Sequence, residues 1–261
     1  MNRIIEFMGL PGSGKSTLAE ILLKEFRLRG LPILTNEEAV TRCIKRRDDG
    51  IIRNLLKQLP FIVWEPVAGI RNALPELHEF AGKNFSFMEL LFSVLNRGTA
   101  PLEWRQSILY SFFNKKCPER QLMERFLASD ERVLIEEGFA MGVTTLMSCL
   151  RPGTSCEKEI ETYVRYMPLP YAVFYIDIEP SECIGRLRRR PELPLVWEEC
   201  TDAELIQHLA FNRRCLDLAA TELEKRNIPV CRVLNADGNE ETSAKRVKDQ
   251  GGEWLVPMRK H

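Results

Sequence analysis

The sequence predicts an α/β protein built on a five-stranded, parallel, doubly wound sheet. Three observations point there. Five short apolar runs alternate with helix-spaced patterns along the chain. The first run passes at once into a glycine-rich loop and then a helix, the way a strand enters a crossover in such a sheet. The polar residues that stand out, Glu37, the pair Glu136-Glu137 and Asn235, each follow one of the runs, and the carboxyl ends of parallel strands are where such sheets build ligand sites.

Taken in order, residues 3–8 are the first strand, around Ile4-Ile5-Glu6-Phe7-Met8, and 14–29 the first helix, with Leu18, Ile21, Leu22 and Phe26 on one face. Gly30 ends that helix as a C-cap. Pro32-Ile33-Leu34-Thr35 is the second strand and completes a right-handed βαβ unit. From about 39 to 130 the pattern is helical, with apolar stripes over 51–59, 85–95, 103–115 and 119–128; such stripes pack into cores. The block is long for a crossover and predicts a helical insertion forming a subdomain over the sheet edge. Arg132-Val133-Leu134-Ile135 is the third strand, followed by helices over 139–150 and 156–167. The fourth strand spans 171–178, a helix 181–190, a proline-marked loop 191–201 and a long helix 202–226. The fifth strand is 229–234, then a turn at Asn235-Ala236-Asp237-Gly238 and a last helix over 239–249, with the C-terminal dozen residues loosely held. Residues 1–261 read as a single domain.

The chain has 261 residues, of which 44% are hydrophobic, enough for a substantial core. Lys plus Arg and Asp plus Glu both number 37, a balance that argues against nucleic-acid polymers and membrane surfaces as partners. The eight cysteines form no C-x-x-C pair and there are three histidines, a composition that predicts no zinc site and a reduced, cytoplasmic setting. The amino terminus runs straight into the first strand, leaving no room for a targeting segment, and no apolar stretch is long enough to span a bilayer.

Residues 9–17, Gly9-Leu10-Pro11-Gly12-Ser13-Gly14-Lys15-Ser16-Thr17, fit G-x-x-x-x-G-K-[ST]. The glycines let successive backbone N–H groups turn inward to cradle phosphate oxygens at the positive end of the helix that follows. Lys15 is placed to reach the β- and γ-phosphates, and the Ser16 hydroxyl to hold Mg²⁺. An acid at a neighbouring strand end completes such a site, and Glu136-Glu137 fills that place. The residue types do not separate the two; Glu136 continues the strand and is assigned to the metal side, Glu137 to the acceptor. Glu37, after the second strand, is a further candidate general base. In Arg186-Leu187-Arg188-Arg189-Arg190, the arginines supply permanent, forked charge suited to a lid, over about 186–201, that closes on a transferring phosphoryl group. Arg42, Lys45, Arg46 and Arg47 are either an anion-binding face or a solvated one.

Three stretches together resemble the small P-loop kinases of the nucleoside-monophosphate-kinase-like (thymidylate kinase-like) group: residues 9–17, the strand ending in Glu136-Glu137-Gly138, and Phe174-Tyr175-Ile176-Asp177 continuing to Arg186 and Arg190. The turn Asn235-Ala236 resembles the segment that packs on the adenine base. The resemblance covers about residues 1–38 and 131–250. It implies strand order 2-3-1-4-5, ATP as donor, Mg²⁺ as cofactor, catalytic roles for Lys15, Arg186 and Arg190, and a small-molecule phosphoryl acceptor that it does not name. It departs from thymidylate kinases, which carry Asp-Arg after the third strand, and from deoxynucleoside kinases, which carry Glu-Arg-Ser. A nucleoside or nucleoside-monophosphate kinase is the narrower alternative. An ATP-dependent switch that binds a partner protein is the alternative of another class.

Overall fold

The computed structural model describes residues 4–47, 65–150, 155–189, 200–236 and 239–255, with the side chains of 65–73 and of 255 left aside. The predicted stripe over 51–59, Arg190 and most of the predicted lid lie outside the described residues.

The five strands are β1 (Ile4–Gly9), β2 (Ile33–Thr35), β3 (Arg132–Ile135), β4 (Ala172–Asp177) and β5 (Val230–Leu234). All pairings are parallel, in the order 2-3-1-4-5. Parallel neighbours require crossovers, and helices supply them: α1 (Lys15–Leu28) and α2 (Asn36–Arg47), then α3 (Glu65–Lys83), α4 (Phe85–Arg97), α5 (Leu102–Ser111) and α6 (Cys117–Phe126) before β3. After β3 come α7 (Phe139–Met147) and α8 (Glu157–Tyr166), then α9 (Pro180–Leu187), α10 (Asp202–Lys225) and α11 (Glu240–Leu255).

Side-chain alternation along the central strands sorts the core into two layers. Ala172, Phe174 and Ile176 of β4 face α1 and α11, meeting Leu18, Leu22, Phe26 and Val247. Val173 and Tyr175 face the other way, into a larger cluster with Phe87, Phe112, Leu209 and Leu216. The helices between β2 and β3 therefore share one core with the sheet, beyond the small cluster of α2 and α6 at the β2–β3 edge. No described helix is long and apolar enough to cross a membrane.

Two sequence expectations change. The stripes read as separate helices over 103–115 and 119–128 form one continuous run, in which α5 passes through a turn of π-helix (Phe112–Lys116) into α6. Pro118 opens α6; it has no N–H for the carbonyl four residues back, and the wider turn before it accommodates that loss. The last helix is longer than predicted and tied down to Leu255: Trp254 packs on Phe174 with ring centroids 4.7 Å apart. Gly251, beyond the predicted helix end, is a close-contact point, where a Cβ would lie 2.7 Å from Leu22 Cδ1 of α1.

Candidate active site

The loop between β1 and α1 has the conformation its glycines foretell. Gly9, Gly12 and Gly14 have φ of 155°, 85° and 88°. At Gly14 the constraint is twofold: the backbone is left-handed, and a Cβ would sit 2.5 Å from Asn235 Nδ2. The Asn235 side chain donates to Ser13 O at 2.7 Å, and Arg186 donates through Nη2 to Asn235 O at 3.0 Å. The turn after β5 and the helix after β4 are thus fastened onto the loop.

Lys15 is buried and its ammonium donates to Gly9 O at 2.9 Å and Leu10 O at 3.0 Å, spanning the loop. Ser16 and Thr17 are exposed on the first turn of α1. That turn carries no acidic residue and no side-chain cap, so the positive end of the helix dipole and its unpaired N–H groups are not neutralised locally. Glycine geometry, a lysine across the loop and an uncapped helix start fit a bound polyphosphate.

The pair after β3 splits. Both side chains are exposed, but Glu137 lines a cavity of about 600 Å³ that Pro11 of the loop also lines, and Glu136 is not among the residues lining it. The rest of the wall comes from α5, Lys116, α7 and the residues just after it, α10 and the segment at Thr99. Glu37 is exposed on the first turn of α2 and is not among the residues lining this cavity. Its neighbour Glu38 accepts from Thr35 N and pairs with Arg27. Of the basic run, Arg42 and Arg46 pair with the buried Glu131, and Arg47 with Glu76 at 3.1 Å; these arginines tie α2 to its neighbours. Arg46 and the Ala128 N–H help hold the Glu131 carboxyl well below its ordinary value, at about 2.

Two positions that shape the candidate site escaped the sequence reading. Glu6 is fully buried in β1, on the face that holds Ile4 and Met8. Its Oε2 accepts from Ala140 N at 2.7 Å, at the start of α7, while Oε1 has no partner among the described residues. Burial pushes its pKa up, against the pull of the Ala140 N–H, Arg120 and Lys116. An acid in the middle of an otherwise apolar strand was the signal. Gly138 passes directly over that carboxyl, and a Cβ there would lie 2.2 Å from Glu6 Cδ. The second position is Lys116, at the end of the π turn, which donates to the carbonyls of Glu137 and of Gly138, the latter at 3.1 Å. Burial lowers its pKa, and Glu137 and Glu6 oppose that shift. Together Glu6 and Lys116 hold the turn that carries Glu137 from both sides.

The far wall is anchored by charge. Arg213 on α10 donates to both carboxylate oxygens of Asp177, at 3.0 and 3.2 Å, and pairs with Glu179 at 2.6 Å, which keeps its pKa raised. Asp217 accepts from Tyr175 at 3.0 Å and from Arg232 at 3.1 Å. These contacts fix α10 against the end of β4, beside the cavity.

No protein-family model matches the chain, and no curated protein does.

Proposed function

We propose that the protein is an ATP-dependent phosphotransferase of the P-loop kinase type, acting on a small molecule held in the cavity beside the loop. The observation that carries this reading is the shared wall: Pro11 of the glycine loop and the carboxylate Glu137 line the same cavity. A donor phosphate on the loop and an acceptor in the cavity would be neighbours, which is what direct transfer requires.

In this reading the N–H groups of residues 9–17 and Lys15 bind the donor's phosphates, and Lys15 exchanges its carbonyl partners for phosphate oxygens. Asn235 borders the loop and Arg186 holds Asn235; with Ala236, the next residue, they would lie on the side of the base. Ser16 and Glu136 would hold Mg²⁺, which when bound neutralises charge on the phosphate oxygens. The acceptor oxygen forms a bond to the γ-phosphorus as the bond from that phosphorus to the β–γ bridging oxygen breaks, and ADP leaves. Glu137 accepts the acceptor's proton and later releases it to solvent. Glu137 takes this role over Glu37 because it faces the cavity. An acceptor seated in the cavity would displace the water that competes for the phosphoryl group.

The test is ATP binding and ADP formation by wild type and Lys15→Ala. The kinase reading expects ATP to bind, and expects ADP formation that rises with added acceptor and is abolished in the variant with its fold intact. Undiminished ADP formation in Lys15→Ala would overturn the site. ADP formation that responds to a protein partner and to no small molecule would favour the switch.

A further inference from the structure

The cavity wall is unlike the inner face of an ordinary helix. α5 turns Trp104, Ser107, Ile108 and Ser111 toward it, and α7 turns Met141, Thr144 and Thr145. α10 adds His208, Phe211 and Asn212. The spacing in each is that of a single helical stripe, and an inward stripe is normally apolar throughout. Here every stripe carries a hydroxyl or an amide.

Some of these polar groups serve the wall itself. The Ser148 hydroxyl accepts from Trp104 Nε1 at 2.9 Å and donates to Thr145 O at 2.7 Å; Thr144 donates to Met141 O at 2.9 Å. Others do not: among the described residues, the half-buried side chains of Ser111, Thr145 and Asn212, and the exposed one of Ser107, make no hydrogen bond with the protein. Polar groups in a concave site without protein partners are the groups that fix a ligand's orientation.

The charges decide the ligand's class. Among the described residues lining the cavity there is no arginine, and the fixed charges are Lys116 and Glu137, which cancel. Lys116 already gives two of its N–H bonds to the carbonyls of Glu137 and Gly138. Among the described residues lining the cavity, a phosphate or carboxylate on the acceptor would find no guanidinium fork and would face the Glu137 carboxylate.

We propose, resting on the kinase reading above, that the acceptor is an uncharged, hydroxyl-bearing molecule with one flat ring, of the size of an aryl or heteroaryl glycoside. Its ring packs on Trp104 and Phe211, and its hydroxyls bond to Ser107, Ser111, Thr145 and Asn212. One hydroxyl, next to Glu137, takes the phosphoryl group. The volume of about 600 Å³ suits a molecule of this kind.

The experiment is a panel of matched pairs, each an uncharged ring-bearing glycoside and its own monophosphate, assayed with γ-labelled ATP on the full chain. Transfer to the uncharged members is expected, with kcat/KM at least about tenfold above that of the matched monophosphates. Phe211→Ala is expected to raise KM for the acceptor by about tenfold while leaving KM for ATP unchanged. Preference for the monophosphates, or ATP binding with transfer to no uncharged member, overturns the proposal and leaves the kinase reading standing. Absence of ATP binding overturns both. Should Phe211→Ala fail to fold, Asn212→Ala is the second variant, and an unchanged acceptor KM in the folded variant counts against the proposal.

Discussion

The glycine loop and the cavity beside it are adjacent halves of one candidate site, built in opposite ways. The loop is made of contiguous residues whose function lies in the backbone: positive φ at Gly9, Gly12 and Gly14, and a lysine laid over two carbonyls. The cavity is made of side chains from α5, α7 and α10, which are separated by long stretches of chain and meet only through packing. A site made of backbone depends on the few positions that must be glycine, and in the kinase reading it binds the donor's phosphates. A side-chain site can change one residue at a time, so it is where one phosphoryl acceptor is distinguished from another.

The largest effect expected is on the loop side. Lys15→Ala should lower turnover by about a thousandfold or more, read in ADP formation, while circular dichroism and Tm stay near wild type. A loss confined to acceptor KM would erase the distinction between the two halves.

Next comes the turn that joins them. Gly138→Ala places a Cβ 2.2 Å from Glu6 Cδ, so the buried Glu6 carboxyl has to shift and gives up its bond from Ala140 N. A destabilisation of about 3 kcal/mol is expected in urea unfolding, with acceptor transfer falling more than ATP binding because Glu137 rides on that turn. A neutral substitution would mean that the turn is looser than its contacts require.

Two buried acids give opposite pH dependence. Glu131 has a folded pKa depressed from the ordinary 4.5 to about 2, so its contribution is present above 4.5 and lost as pH falls toward 2. Glu6 has a raised folded pKa, so its contribution is full below the ordinary 4.5 and is lost as pH rises through the raised value. In Tm measured against pH, Glu131→Gln should flatten the acid limb, and Glu6→Gln should flatten the decline above 4.5. The same limb flattened by both variants would contradict these environments. The smallest effect is at the cavity wall: Trp104→Phe removes the bond to Ser148 and should cost about 1 kcal/mol in stability.

The same contrast explains what was legible in the sequence. The sheet and the loop could be read because strand runs and glycine spacing are local, and the strand order 2-3-1-4-5 implied by resemblance is the order observed. The cavity could not, because the hydroxyls of Ser107 and Thr145 and the amide of Asn212 look like ordinary surface polarity until three helices bring them together. Glu6 was visible as an acid inside an apolar strand, yet its meaning depends on Gly138 and Ala140, more than a hundred residues away. Lys116 owes its direction to a π turn that helical periodicity does not mark. The C-terminal dozen residues were read as loosely held, and only contacts such as that of Gly251 with α1 reveal that the last helix packs on the sheet's helical layer.

The most direct measurement of the central claim is acceptor-dependent ADP formation by Glu137→Gln, in which the carboxylate shared between the two halves becomes a neutral amide of the same shape. The account predicts transfer lowered by about a hundredfold or more, with ATP binding and Tm preserved. Transfer at the wild-type rate would contradict it.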